Sequence, residues 1–392
     1  MKSHRDSLRL FFFTAIICTF LIGLAFIDFF SRNSIPRVPL SDRGNCTTCL
    51  PPLKNFCPSC PLLQSLLPSG PLDLLIPWVD GADPVWLESR NRYSTKKKDI
   101  RKERFTSHDE LKYCLRSIEK HFPDFGTIYL LTDNQRPDWL NDNERVKIIS
   151  HKDIVPEHLH DEVLPTFNSQ SFEVFLWNIP GIGDNYLYLN DDFFFGADVD
   201  LSYFFNDGKI IVYHDEGSVL EHPVKTRLYI RMLMHGIRQI VRKFPYQKPE
   251  IGFKFLSHAP RVINKQLFHH VYKIFEPQLL GAAKSKFRAQ KSLIEPLTLY
   301  FFTIETFSNM DACRNDFIEF QEAFMPYTSL RDDLNDQREL FDRILNTRPP
   351  FFNINDDLSW ASNEPSPTII ESVEMFHNLM SELYPDESSF EI

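Results

Sequence analysis

A chain of 392 residues with a formal net charge of −10 at neutral pH is long enough for one large domain or two smaller ones. Its acidity argues against broad nucleic-acid binding, which needs a basic surface to release counterions from phosphates, so an anionic substrate has to be met by locally placed Arg, Lys or a metal. The 36 phenylalanines and the 14% aromatic share predict a heavily packed core with a sugar-stacking surface.

In chain order, the first element is an uncharged apolar run from Leu10 to Ile27, preceded by Lys2, Arg5 and Arg9. Its length is near the lower limit for a membrane-spanning helix. The flanking charges predict a signal anchor over 10–30, with residues 1–9 cytosolic and the bulk of the protein lumenal, a type II orientation. A cleaved signal peptide is the competing reading, but the apolar core is long for one and no clear A-x-A site follows. Residues 31–71 are rich in Pro and Cys and show no sustained period, which predicts a lumenal stalk. Cys46, Cys49, Cys57 and Cys60 in it suit disulfides, within the stalk or linking a homodimer, better than zinc. Asn45-Cys46-Thr47 is a glycosylation acceptor by pattern.

Regular structure begins at LDLLIPWVDG, a buried strand over Leu72 to Ile76 ending in a loop at Asp80-Gly81. SHDELKYCLRSIEKHF reads as a helix with a Ser107/Glu110 capping box, an apolar face of Leu111, Leu115 and Ile118, and Cys114 as a buried thiol. GTIYLLTDNQ and RVKIISH are strands, the first ending at Thr132-Asp133-Asn134. SQSFEVFLWNIPG reads as a helix with Phe172, Phe175 and Leu176 inward. NYLYLNDD is the next strand, KIIVYHDE a later one, and HPVKTRLYIRMLMHGIRQIVRKF a long helix studded with Lys and Arg. The C-terminal stretch 366–392 reads as a helix and an acidic tail. The order strand, helix, strand, strand, helix, strand is that of an α/β unit with a mostly parallel sheet.

YLYLNDDFFFG sets Asn190, Asp191 and Asp192 between alternating apolar residues and three phenylalanines. Adjacent carboxylates repel, so they persist at a solvated turn or around a cation. A bare Asp-Asp pair is most often a polar turn. Here Asp80, Asp133, Asp191 and Asp192 all fall at strand ends of one array, where ligands gather in α/β sheets. That placement favours a divalent cation, Mg²⁺ or Mn²⁺, held by Asp191 and Asp192, as a nucleotide-sugar enzyme would need to offset pyrophosphate charge.

Four blocks carry a family resemblance: LLIPWVDGADPVW; the stretch from ELKYCLRSIEKHFPDFGTIYLLTDNQRPDWLN to LPTFNSQSFEVFLWNIPGIGDNYLYLNDDFFFG; FLSHAPRVINK with the later KFRAQ; and PPFFNINDDLSW. Together they resemble the conserved regions of the Stealth family of sugar-1-phosphate transferases, which includes microbial capsule enzymes and an animal GlcNAc-1-phosphotransferase. The first block has IPWVDG where a Thr is expected before the Trp, which affects the loop's start rather than the chemistry. The resemblance implies a catalytic domain over 72–365, related to GT-A-type, Rossmann-like nucleotide-sugar transferases. It implies transfer of a hexose 1-phosphate, GlcNAc-1-phosphate by family, from a UDP-sugar to a glycan hydroxyl with release of UMP. Carried over by motif, Glu173, Asp192, His258 and Arg288 are catalytic, while Trp78, Asp80, Asp133, Asn190, Asn355 and Asp356 bind substrate. With the type II anchor, this chemistry implies the Golgi membrane.

In that scheme Asp192, with Asp191 or Asn190, holds the cation at the phosphates, Arg288 meets the oxygens of the transferred phosphoryl group, His258 takes the acceptor proton or orients the acceptor, histidine being the residue type suited to that near neutral pH, and Glu173 is a second metal ligand, a partner fixing His258 or a contact to sugar hydroxyls. Outside the motifs the same residues have plainer readings: His258 a satisfied histidine, Arg288 a solvated cation, Glu173 a carboxylate either wet or paired. Two rival functions share the anchor and fold: a metal-dependent glycosyltransferase releasing UDP, and a non-catalytic lumenal carbohydrate-binding protein.

Overall fold

A computed structural model describes residues 66–68, 70–94, 105–221, 228–245, 252–288, 294–308, 317–360 and 364–392. The expected anchor, most of the stalk with its four cysteines and Asn45, and Cys313, which the sequence reading also expects as a buried thiol, lie outside the described residues. Among the described residues no helix is long and apolar enough to cross a membrane.

The central sheet is built from β1 (Asp73–Pro77), β2 (Ile128–Thr132), β3 (Val146–Ser150) and β4 (Asn185–Tyr188), with the Arg261–Asn264 strand at one edge. Its order is β3-β2-β1-β4 followed by that edge strand. The four numbered strands run parallel and the edge strand runs antiparallel to β4, so the expected α/β class with a mostly parallel sheet holds. Leu74, Leu75 and Ile76 are fully buried, which explains why β1 reads as a continuous apolar run rather than an alternating one. A second sheet carries the long Lys209–Ser218 strand beside Ile318–Glu322.

Two local expectations are corrected. The helix over Glu110–His121 starts at Asp109, in the left-handed region at φ 66° and without a side-chain cap. Glu110 does reach back, accepting from the His108 N–H at 2.6 Å and from Ser107 Oγ at 3.2 Å, but Ser107 is not the cap of a box. The FNSQSFE segment forms only a short helix over Ser169–Glu173 and a 3₁₀ turn over Leu176–Asn178. Phe172, Phe175 and Leu176 are nonetheless buried as expected.

Both ends of the domain differ from their sequence reading. Leu66, assigned to the stalk, is buried and its carbonyl accepts from Asn185 Nδ2 at 2.7 Å. The acidic tail is packed rather than free: Phe390 is fully buried, and Glu391 takes a bidentate pair from Arg116 at 2.6 and 2.7 Å.

Just past the C-terminal end of β3, His151 is buried and stacked on Phe172 with ring centroids 4.7 Å apart. Burial lowers its pKa from 6.5 to about 4. Unfolded imidazole therefore binds a proton that the folded one refuses, so stability present above pH 6.5 is lost as pH falls toward 4. His151→Phe should flatten this acid limb, recovering on the order of 2–3 kcal/mol at pH 4.5 relative to pH 7 in urea titrations at the two pH values. An unchanged slope would show that His151 does not govern it.

Candidate active site

The strand order reverses between β1 and β4, and ligands of open α/β sheets bind outside the carboxyl ends of the strands at such a point. Leu189 N–H donates to the Leu75 carbonyl at 3.0 Å, so Asn190, Asp191 and Asp192 leave the sheet beside β1. The three phenylalanines that follow belong to the heavily packed core. Phe193, Phe194 and Phe195 are all buried, with Phe193 and Phe194 paired antiparallel to Asn353 and Phe352 and Phe195 stacked on Phe122 at 5.9 Å. Ile354 N–H holds the Asp192 carbonyl at 3.1 Å. A Cβ on Gly196 would lie 2.5 Å from the Pro349 carbonyl, so only glycine lets the fourth block approach this closely. The phenylalanines thus anchor a loop whose carboxylates repel each other.

Asp192 is 8% exposed, and its Oδ1 is buried without a hydrogen-bond partner. Burial, then Asp192 and Glu110, push the Asp191 carboxyl well above the usual range. A buried, unsatisfied carboxylate oxygen next to a repelled one fits a cation at this loop. Among the described residues no three His, Cys, Asp or Glu side chains group to hold a metal by themselves, so a cation held by Asp191 and Asp192 would take its remaining ligands from substrate or water.

His258 Nε2 lies 3.5 Å from Asp192 Oδ2 and 3.4 Å from Asn190 Nδ2. These contacts are long, but each suits a different protonation state: a bare Nε2 accepts from the Asn190 amide, and an Nε2–H donates to Asp192. Phe193 meets the imidazole edge-on at 4.6 Å and Tyr327 at 5.9 Å. Asp215, within the Lys209–Ser218 strand, has its carboxyl pushed up by burial and drawn down by Ser257, Arg261 and His258.

Glu173 is buried, with Oε1 accepting from the Tyr188 hydroxyl at 3.3 Å and Oε2 unpartnered. Burial and the neighbouring Glu295 raise its pKa to about 7, against the lowering effects of Arg288, Tyr188 and Arg261. Arg288 donates to Ser169 Oγ at 2.8 Å, at the first residue of the short helix that carries Glu173. Because Arg261 acts on both Asp215 and Glu173, its charge links the His258 side of the site to the Glu173 side.

The structure therefore brings Asn190, Asp191, Asp192 and His258 together, with Glu173 and Arg288 on an adjoining cluster. Asp80 and Asp133 form a separate group. Asp80 receives the Ala82 N–H at 2.7 Å and donates its own N–H to Gln135 Oε1 at 3.0 Å, while burial and then Asp83 raise the Asp133 carboxyl. Among the described residues no hydrogen bond or ion pair joins them to the NDD carboxylates. Trp78 is half-buried against the core. Asn355 Oδ1 accepts from Asn353 Nδ2 at 3.4 Å. Asp356 already has protein partners on both oxygens: His108 Nε2 at 3.2 Å and Trp360 Nε1 at 3.4 Å on Oδ2, and Leu358 N–H at 2.9 Å on Oδ1. Its geometry is that of an internal tie.

Sequence reading missed Tyr188, Arg261, Glu295 and Asp215. Strand alternation in NYLYL puts Tyr188 on the same face as Tyr186, and Arg261 stands in the quoted SHAPR run. Nothing local marks Glu295, which lies far from Glu173 in the chain.

The arrangement is that of an α/β enzyme with an acidic strand-end site, a histidine and an arginine. Conserved region 1 of the Stealth proteins matches residues 70–98, region 2 residues 104–213 and region 3 residues 257–305. The exopolysaccharide phosphotransferase cps2G of Lactiplantibacillus plantarum is 40% identical over 247 residues, covering 56% of this chain and 72% of that protein. The capsular polysaccharide phosphotransferase cps1A of Actinobacillus pleuropneumoniae is 28% identical over 281 residues, covering 67% and 74%. The chain belongs to the Stealth family and is a phosphotransferase, which removes the non-catalytic binding protein from the alternatives. Among solved structures, the galactosyltransferase LgtC with donor and acceptor sugar analogues aligns over 79% of this chain and 96% of that one, at 11% identity and a TM-score of 0.38; a likeness at that score carries no weight.

Proposed function

We propose that the protein transfers a hexose 1-phosphate from a UDP-sugar to a hydroxyl of a glycan acceptor and releases UMP. The observation that carries this reading is the convergence of Asp192, His258 and Asn190 at the switch point, beside the cluster of Glu173 and Arg288, in a chain related to polysaccharide phosphotransferases. The acceptor oxygen attacks the phosphorus that bears the sugar, a P–O bond forms, and the pyrophosphate P–O bond to the UMP side breaks. His258 takes the acceptor proton at the nitrogen facing Asp192, which stabilises the imidazolium. Arg288, brought beside Glu173, neutralises the oxygens of the phosphoryl group in transfer. Glu173, with one unpartnered oxygen, orients substrate hydroxyls or Arg288 itself. A Mg²⁺ or Mn²⁺ held by Asp191 and Asp192 would supply charge neutralisation at the pyrophosphate. Donor identity as UDP-GlcNAc and a type II Golgi location are parts of the same proposal.

The full chain is incubated with Mg²⁺, a panel of UDP-sugars and simple sugar acceptors, and the released nucleotide is identified. UMP is expected. Release of UDP would mean cleavage of the sugar C–O bond, and the roles given to His258 and Arg288 would fall with it.

A further inference from the structure

Against a chain of net charge −10, the helix Leu228–Lys243 carries Arg231, Arg238, Arg242 and Lys243 and no acidic residue. Its inward face is apolar, with Met232, Leu233, Gly236, Ile237 and Ile240 buried, and Gly236 faces Leu299 of the Pro296–Ser308 helix. Arg231, Arg238 and Arg242 stand at i, i+7 and i+11, which places them on one face of the helix, over roughly 16 Å at 1.5 Å per residue. Arg238 and Arg242 are exposed and Arg231 half-buried. No ion pair among the described residues neutralises any of the three.

The row begins beside the active site: Gln170 Nε2, in the short helix that carries Glu173, lies 3.8 Å from Met232 Sδ, next to Arg231. Tyr229, two residues before Arg231 and so on the opposite side of the helix, is 45% exposed. Burial pushes its hydroxyl up to about 12, and Glu295, Arg261 and Arg288, which also act on Glu173, act on it as well. The helix therefore leads away from the short helix that carries Glu173, with three guanidinium groups along its outer face.

We infer that this arginine row is the docking surface for the acceptor glycan, and that it selects a polymer carrying phosphodiester groups. The inference rests on the proposed sugar-phosphate transfer: each turnover leaves a phosphodiester on the acceptor, so a chain that is used again arrives as a polyanion. A domain that is acidic overall repels such a polymer unless one face is locally cationic. Guanidinium groups pair with phosphate oxygens in bidentate geometry.

The test uses the full chain and the triple variant R231E/R238E/R242E. A control, K152E/R338E/R343E, gives the same change in net charge at exposed positions elsewhere. Binding is measured to a poly(glycosyl phosphate), to the same glycan after dephosphorylation, and to phosphatidylserine vesicles, each at two salt concentrations. The parent and the control should bind the phosphorylated polymer at least tenfold more tightly than the triple variant, with a steeper salt dependence. Turnover on a short neutral acceptor should be the same in all three. Equal binding by parent and triple variant, equal loss in the control, or no preference of the parent for the phosphorylated glycan would each overturn the inference. Row-dependent binding to the vesicles alone would overturn it in favour of an anionic membrane surface. If the parent binds as expected but releases no UMP from any UDP-sugar, the docking surface stands and the proposed reaction falls.

Discussion

His258→Ala is expected to lower kcat by about 10²- to 10⁴-fold, the range for loss of a positioned general base, with little loss of fold. The imidazole is 26% exposed and touches Asp192 and Asn190 only at 3.5 and 3.4 Å, so its removal opens a gap at the mouth of the site and leaves the core unbroken. The KM for the UDP-sugar should move far less than kcat, because the proton acceptor acts only as the new P–O bond forms. Asp192→Asn should cost a similar factor. Because the two side chains form one unit, the double variant should be little worse than either single one. Steady-state UMP release, normalised to the folded fraction, measures all three. Turnover of His258→Ala within a few-fold of the parent would remove histidine from the chemistry.

Glu173→Gln should lose transfer by at least about 100-fold if this carboxylate orients the reacting groups, yet make the protein more stable at alkaline pH. The sign follows from its pKa, raised from an ordinary 4.5 to about 7 chiefly by burial and by Glu295. Between those values the folded carboxyl keeps a proton that the unfolded one releases. Stability therefore declines as pH rises from 4.5 to 7 and stays lowered above that. A shift of that size corresponds to roughly 3 kcal/mol. Glutamine has no proton to lose and retains an oxygen for the Tyr188 hydroxyl, so the variant should show a flatter pH dependence and gain on the order of 2–3 kcal/mol at pH 8. Urea denaturation at pH 5 and pH 8 reads this directly. A variant that is less stable than the parent at pH 8 would mean that Arg288 and Arg261 stabilise the charged carboxylate more than burial penalises it. A gain in stability with loss of activity would mark Glu173 as a group kept at a cost for function. Its pH slope runs opposite to that of His151, so the two buried groups together should place maximal stability between the acid and alkaline limbs.

The sequence alone determined the order of strands and helices, the mostly parallel sheet and the strand-end position of the NDD loop. Those features rest on local signals: apolar runs of strand length in β1 and β2, the 3.6-residue period of Leu111, Leu115 and Ile118, and polar residues where the runs stop. Motif resemblance added His258, Glu173 and Arg288, because each stands within a recognisable block. Only the tertiary structure decided which charges face each other. Glu173 acquires its environment from Tyr188, Arg261, Arg288 and Glu295, and no periodicity connects those positions. Asp356 is chemically indistinguishable in sequence from Asp192, but His108, Trp360 and Leu358 occupy its oxygens, whereas Asp192 Oδ1 has no partner. FFF following NDD could equally have made a sugar platform; packing against Phe352 and Phe122 turned it into an anchor. Burial and ion pairing are set by residues brought together from distant parts of the chain, and a carboxylate's role depends on that company more than on its own neighbours in sequence.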